Sequence, residues 1–580
     1  MKINLLHTNL GPRYTEDLLL ARGITDLEKF LNPDESCLQT YKDLSNIDTA
    51  VDCLAHLAPD AKIALIVDCD VDGYTSSAII YQYLKEWQPT WNITPYLHDG
   101  KAHGLEEHWE AIQAEDYQLV LIPDAGSNDH AYAEQIHCPI IILDHHLMDQ
   151  PASSNMIVVN NQTSPAYQNK DLSGAGVAFQ FCRALDDARG EKKAEQYIDL
   201  AALGVCGDMM SGLQVENQYL WKTGFKHINN YFFMTLARKQ AYSITGKMYA
   251  SDDDIIKALN PTSVAFYIVP LINAMIRVGS EDEKKRLFQA LVDGHSKVPC
   301  LKRGAKGTFE EVAVESTREC VNARAHQNKF KDDAVLKLEQ RIFKYDLLEN
   351  TILFIELDET DRFPSELNGL IAMQLAQKYQ RPTIVARRND QNFVRGSIRG
   401  LSNSALTSFK HYLDKTGLCE YVQGHDNAAG ISIDGNLVDS LINRANDDLK
   451  DYNFLESQYD VEFARQALDN DLIKLITDIA QYKDLWAQQN SEPLIYIKDL
   501  HCTWSDIQIM GKNHDTVKIM KNGVAYMKFF AKDMIAELEP LTDIKLEVVG
   551  RANMNEWNGI VTPQIFIENY QITEDKLTDF

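Results

Sequence analysis

Four short apolar runs constrain what this chain can fold into more than anything else in it. They are KIALIVD (62–68), NITPYL (92–97), YQLVLIPD (117–124) and PIIILDHH (139–146). The stretches between them, such as SSAIIYQYLKEW (76–87), are long enough for a helix. Runs of this kind alternating with helix-length segments specify a parallel sheet of βαβ units, because parallel strands need a long crossover. In an open parallel sheet, ligand sites form beyond the carboxyl ends of the strands. Three of the four runs end in side chains suited to such a site. DCDVDG (68–73) offers Asp68, Asp70 and Asp72, the second group is Asp124 before Ala125 and Gly126, and the third is Asp144, His145 and His146.

Three carboxylates within five residues raise one another's pKa unless a cation sits among them. A solvated acidic turn or a calcium loop would also satisfy DCDVDG alone. An EF-hand is excluded, since its twelfth position, counted from Asp68, is Ile79 and its first flank reads as a strand. A lone His–His pair is more often structural than ligating, and Asp208 in ALGVCGDMM (202–210) alone would only end a helix. The His pair shares its place at a strand end with the two carboxylate groups, which changes that weighting, and Asp208, after a helix, is a fourth candidate. Carboxylates mixed with imidazole suit Mn²⁺ or Mg²⁺, with nitrogen favouring Mn²⁺. Two such ions about 3.5–4 Å apart activate water and stabilise both oxygens of an in-line phosphoryl displacement. The residues therefore point to metal-dependent hydrolysis of a phosphoester or phosphoanhydride. Neither a P-loop nor a Ser nucleophile elbow is present.

Beyond residue 160, helical patterning dominates 216–350, with FKDDAVLKLEQRIFKYDLLEN (330–350) reading as one connecting helix. A second mixed region follows in NTILFIELD (350–358), LNGLIAMQLAQKY (367–379), PTIVARR (382–388) and NFVRGSI (392–398). Strand-like alternation returns from about 490. The expected organisation is a segment at 1–50 packing on the core, a catalytic domain at 51–215, and a helical extension at 216–349. A mixed α/β domain at 350–440, a helical connector at 441–489 and a strand-rich domain at 490–580 complete it.

The formal charge of −27 argues against a protein coated with basic surface for nucleic acid or anionic membrane. It leaves room for a basic groove on an acidic body. Ten scattered cysteines without zinc-type spacing indicate a reducing compartment. The opening MKINLLHTNLGPRYTEDLLL lacks the apolar core of a signal peptide, and SVAFYIVPLINAMIRV (263–278) is interrupted by Pro270 and Asn273. A cytoplasmic protein without membrane association is expected.

The ordered set DCDVDG, DAG (124–126), DHH (144–146) and the Asp208 segment resembles the four motifs of the DHH phosphoesterase superfamily. RGSIRG (395–400) and QGHDNAAG (423–430) resemble those of the DHHA1 substrate-binding domain, with Gln423 where that family has its first glycine. ARGITDLEKFLNP (21–33), LSGAGVAF (172–179), PLINAMIR (270–277) and GRANMNEWNG (550–559) are similar to segments of the RecJ branch, single-strand-specific 5′→3′ exonucleases. The resemblance runs from residue 21 to about 570 in family order.

It implies an α/β fold: a parallel-sheet DHH domain, a long helix to a mixed DHHA1 domain, and a C-terminal OB-type barrel. It implies Asp70, Asp72, Asp124, His145 and Asp208 as ligands of two divalent cations, with Asp68 contributing and Asp124 bridging. Mn²⁺ is preferred and Mg²⁺ admitted. Asp144 would orient the histidines, and His146 would act at the scissile phosphate. Ser397, Arg399 and His425 would hold substrate phosphate, and Asn273 and Arg277 would contact DNA. In the barrel, Lys512, His514, Lys518, Lys521 and Lys528 with Tyr526 suggest a basic, stacking groove, with Lys512 and Lys518 as its DNA contacts. Trp557 reads as core, and His103 as a polar loop residue. The implied activity is 5′→3′ hydrolysis of single-stranded DNA to mononucleotides in repair or recombination. The enzyme would be a monomer, supplied by a helicase and a single-strand-binding protein. Two alternatives are a DHH phosphodiesterase for short oligonucleotides or cyclic dinucleotides, and an inactive DHH scaffold in a replication complex. The barrel weighs against the first and the filled metal positions against the second.

Overall fold

A computed structural model describes residues 1–573 apart from residues 9, 101, 306, 359, 362 and 558 and the side chain of residue 557. The chain divides into two units, one comprising Ile24–Gln327 with Asp484–Ser491 and the other Met1–Gly23, Asn328–Lys483 and Glu492–Phe580.

The first unit is built on five parallel strands: β1 (Lys62–Val67), β2 (Asn92–Leu97), β3 (Leu119–Pro123), β4 (Ile140–Asp144) and β5 (Met156–Asn160). Their spatial order is β2-β1-β3-β4-β5. β3 and β4 are buried throughout and β1 is buried from Ile63 onward, which explains their near-continuous apolar runs. β2 is an edge strand, and it accommodates Pro95 because an edge does not need every backbone donor. β5, the opposite edge, had no counterpart among the four runs. The order reverses direction between β1 and β3, and at such a switch point the two flanking loops diverge and leave a crevice. Helices α1 (Val71–Trp87), α2 (Gly174–Arg189) and α3 (Ile198–Gly207) pack together beside it, and nearly all of α3 is buried.

The expected connecting helix is displaced. Helix α4 runs Val312–Lys344 and stops where Asp346 adopts a left-handed backbone, φ 49°. The stretch Pro261–Val278, apolar enough by composition to cross a bilayer, is two helices, Pro261–Tyr267 and Val269–Val278, and more than half of it is buried.

The second unit carries two sheets. One contains β6 (Leu353–Leu357), β7 (Thr383–Arg388), β8 (Phe393–Arg399), β9 (Cys419–His425) and β10 (Ala428–Asp434), in the order β9-β10-β8-β7-β6. Only β6 and β7 pair in parallel. The other has seven strands: β11 (Phe463–Gln466), β12 (Leu494–Cys502), β13 (Ile507–Met510), β14 (Thr516–Lys521), β15 (Val524–Lys528), β16 (Ile544–Trp557) and β17 (Ile560–Ile572). Asn522 and Gly523 link β14 to β15 with both φ angles positive, the geometry that Asn-Gly supplies to a tight hairpin.

Two expected boundaries are corrected. The region 441–489 is not wholly helical: Gln458–Val461 and β11 are strands, and β11 is the edge of the seven-stranded sheet. Tyr459, Val461 and Phe463 are buried at two-residue spacing, a strand period. The segment 1–50 is shared. Lys2–Leu5 pairs with Gln458–Val461, and Thr15 N donates to Asp478 Oδ2 at 2.7 Å in the second unit, whereas residues from Ile24 onward belong to the first.

Candidate metal centre

Each strand around the switch point delivers one part of the site. Asp68 follows β1 and is buried, with His103 Nδ1 2.9 Å from its Oδ2. That bond pushes the His103 pKa up to about 11, so His103 is a cationic partner of the cluster rather than a bystander in its loop. Asp70 caps α1 and accepts from Gly73 N at 3.0 Å. Burial, together with Asp68 and Asp72, pushes its pKa up to about 6. Asp72, in the first turn of α1, accepts from Ser173 Oγ (2.8 Å), Gly174 N (2.7 Å) and Ala175 N (3.0 Å) at the start of α2. A buried carboxylate is stable there because the free N–H groups of a helix N-terminus solvate it.

Small residues make this approach possible. A Cβ on Gly174 would stand 2.7 Å from Asp124 Cα, and one on Gly204 of α3 would stand 2.6 Å from Thr75 Oγ1 and collide with Asp72 Oδ1. The LSGAG segment is therefore part of the centre, supplying backbone donors and room, a role its lack of ionisable groups concealed.

Asp124 follows β3 in a left-handed conformation, φ 69°, fixed by its N–H donating to Leu143 O at 2.8 Å. Asp144 ends β4 and accepts from Ser127 N (3.2 Å), His145 N (2.7 Å), His146 N (3.2 Å) and His146 Nδ1 (2.8 Å). Burial would raise its pKa, but the His146 bond and the two imidazoles hold it below the usual carboxylate range. The same bond pushes His146 up to about 9 and leaves that ring more than half exposed. Buried Asn160 donates to His146 O at 2.9 Å and steadies the loop.

His145 is the meeting point. Its Nε2 lies 3.2 Å from Asp124 Oδ1, 3.4 Å from Asp208 Oδ2 and 3.9 Å from Asp72 Oδ2. Asp208 arrives as the C-cap of α3. Burial pushes Asp124 well above its ordinary value and Asp208 up to about 8, with Asp72 and Asp70 adding repulsion in both cases, while burial lowers His145. Asp124 Oδ1 is buried without a hydrogen-bond partner. Crowded carboxylates, a neutral imidazole nitrogen and an orphaned oxygen are a donor set that fits Mn²⁺ or Mg²⁺.

The remaining predicted residues fall elsewhere. In the first unit, Asn273 and Arg277 stand one turn apart on Val269–Val278, with the buried Asn273 Oδ1 unpartnered. Burial lowers the Arg324 pKa and the Arg277 charge adds to the effect, so α4 brings a second guanidinium to this patch. Sequence reading missed Arg324, which lies some 50 positions along the chain in an ordinary amphipathic helix. In the second unit, Arg399 pairs with Ala428 and Ala428 with His425, while Ser397 pairs with Gly430 and Gly430 with Gln423. Directly opposed residues share a face, so Ser397, Arg399 and His425 stand on one side of the sheet. Gln423 occupies an ordinary strand position, and Gly424 takes the left-handed φ of 131°.

On the seven-stranded sheet, Lys512 is exposed in the β13–β14 turn and Lys518 lies on β14. The rest of the expected groove is corrected. Tyr526 is fully buried and offers no stacking face, Lys521 pairs with Asp506 at 3.3 Å, and Lys528 donates to Glu568 O at 2.7 Å. The exposed aromatics are instead Phe529, Phe530 and Trp504. The side chain of Trp557 lies outside the described residues.

A carboxylate–imidazole cluster at the switch point of a parallel sheet fits a metal-dependent phosphoesterase. Residues 62–205 match the DHH family N-terminal domain, and 459–569 match the RecJ OB domain. YorK of the SPbeta prophage in Bacillus subtilis (strain 168), provisionally named a single-strand DNA-specific exonuclease, is 37% identical over 98% of this chain and 97% of its own. RecJ of Bacillus subtilis (strain 168), a single-stranded-DNA-specific exonuclease, is 23% identical over 97% of this chain and 68% of its own. The fold matches the crystal structure of Mn²⁺-bound RecJ from Thermus thermophilus with a TM-score of 0.72 at 20% identity, covering 99% of this chain and 79% of that one. The chain belongs to the RecJ-like family of DHH exonucleases.

Proposed function

We propose that this protein is a metal-dependent exonuclease that degrades single-stranded DNA from the 5′ end to mononucleotides, with a role in repair or recombination. The observation that carries this reading is the convergence of Asp72, Asp124 and Asp208 on His145 Nε2 within 3.9 Å. Asp68, Asp70, Asp72, Asp124, His145 and Asp208 would hold two divalent cations, Mn²⁺ by preference, which when bound supply an activated water and neutralise charge on the phosphate. Mn²⁺ and Mg²⁺ complexes of the Thermus thermophilus RecJ support that choice of ions.

This chain's own residues would do the remaining work. Asp144 accepts from His146 Nδ1 and favours the charged form of that ring, which would then offer Nε2–H to a phosphate oxygen. Arg277 and Arg324 would bind the backbone of the strand, and Ser397, Arg399 and His425 a phosphate. Lys512 and Lys518 would hold more distant nucleotides, a task for which short substrates have no need. The names of the relatives support single-stranded DNA as substrate, and the family resemblance supports the polarity.

The decisive experiment incubates the protein with 5′- and 3′-labelled single- and double-stranded DNA in Mn²⁺, Mg²⁺ or chelator. Mononucleotides released from the 5′ end of single strands only, and only with metal, are expected. Release from 3′ ends, or cleavage in chelator, would overturn the reading.

A further inference from the structure

The loop that leaves β2 and returns at residue 108 holds a second cluster that the centre above does not use. His98 is buried, and its Nδ1 lies 3.0 Å from Glu107 Oε2. His108 Nε2 lies 4.0 Å from the same oxygen. The two imidazoles stand with centroids 4.7 Å apart, tilted by 32°. Glu107 Oε2 also accepts from Asp99 N at 3.0 Å, and Lys284, buried, donates to His98 O at 3.2 Å. The cluster is thus fixed in place from three sides.

His98 Nε2 and His108 Nε2 are both buried without a hydrogen-bond partner. His98, Glu107 and His108 each offer one ligand atom, and those atoms lie within 4.8 Å of one another. A buried polar nitrogen left unpaired is costly, and two in one cluster call for a compensating partner.

We propose that His98, Glu107 and His108 form a second metal site, selective for a first-row transition ion of the Zn²⁺ class. Two imidazoles and one carboxylate suit such an ion, whereas the carboxylate-rich centre suits Mn²⁺ or Mg²⁺. Glu107, one-third exposed, gives the ion a path in, and solvent would complete its four-coordinate shell. The site would be structural. It would clamp the two ends of a loop whose middle carries His103, the partner of Asp68.

The test reads metal rather than activity. Protein with Asp124→Asn and His145→Ala, which disable the carboxylate centre, is loaded with Zn²⁺, dialysed against metal-free buffer and analysed for zinc. One zinc retained per chain is expected, falling at least tenfold when His108→Gln or His98→Gln is added. Co²⁺ loaded into the protein with the intact loop should give visible absorption bands of a nitrogen-ligated ion, so the outcome does not depend on the loop variants folding. Zinc retention unchanged by the loop substitutions, no retained zinc, or a Co²⁺ spectrum without those bands would each overturn the proposal.

Discussion

His145 Nε2 stands 3.2 Å from Asp124 Oδ1, a buried carboxylate oxygen with no hydrogen-bond partner. Without a cation, Asp124 is a liability, since burial and three neighbouring carboxylates oppose its charge. Asp124→Asn, which tolerates the left-handed φ of 69° and cannot ionise, should therefore leave the chelated protein as stable as the parent or more so. It should also abolish the gain from Mn²⁺, which for the parent is about 2.7 kcal/mol at a hundredfold excess over Kd. Thermal melts with and without Mn²⁺ decide this, and an undiminished Mn²⁺ gain in the variant would refute it.

Gly174 is the residue through which α2 reaches both Asp72 and Asp124. A Cβ there stands 2.7 Å from Asp124 Cα, so Gly174→Ala must displace the carboxylate or the helix start. Mn²⁺ affinity should fall by roughly 10–100-fold, the usual scale for disturbing groups that orient ligands. Calorimetric titration with Mn²⁺ measures it, and parental affinity would show that the helix start does not shape the centre.

His103→Ala removes the cationic partner of Asp68, which is itself 2% exposed. The metal-free protein should lose about 1–2 kcal/mol, discounted for the exposure of the imidazole. The metal-loaded protein should lose less, because a bound cation compensates the same carboxylate. Equal losses in chelator and in Mn²⁺ would count against a shared electrostatic role.

Asp199, far from the ligands at the other end of α3, carries the clearest pH dependence. It accepts from Asn229 N (2.8 Å), Asn230 N (2.6 Å) and Leu200 N (2.9 Å), yet burial pushes its pKa up to about 6. A folded pKa raised above the unfolded one contributes stability that is present below the unfolded value and is lost as pH rises through the folded one. Between pH 5 and 8 the parent should lose about 1 kcal/mol relative to Asp199→Asn, which cannot ionise. Urea unfolding of both proteins at the two pH values tests this, and a constant difference would show that the carboxyl stays ionised.

Arg277→Ala should weaken binding of single-stranded DNA and flatten its salt dependence by about 0.7 in log–log slope for each phosphate the protein no longer neutralises. Fluorescence anisotropy across salt concentrations measures the slope. An unchanged slope would remove Arg277 from the interface.

The local chemistry of this protein was legible in its sequence because strand burial and strand ends are short-range properties. Apolar runs such as KIALIVD and PIIILDHH identify buried strands by themselves, and the residues that follow them are already at the carboxyl edge where sites form. Asn522-Gly523 likewise specifies its hairpin without help from the rest of the chain. What the sequence could not supply was strand order and long-range approach. Asp68 and Asp124 flank the crevice because β3 lies on the opposite side of β1 from β2, which no local pattern encodes. Gly174 reaches Asp72 across some hundred residues, Arg324 reaches Arg277 from another helix, and Tyr526 is inside rather than outside its sheet. Those relationships depend on which surfaces are buried against each other, a choice settled by packing over the whole chain, so only the tertiary structure decides them.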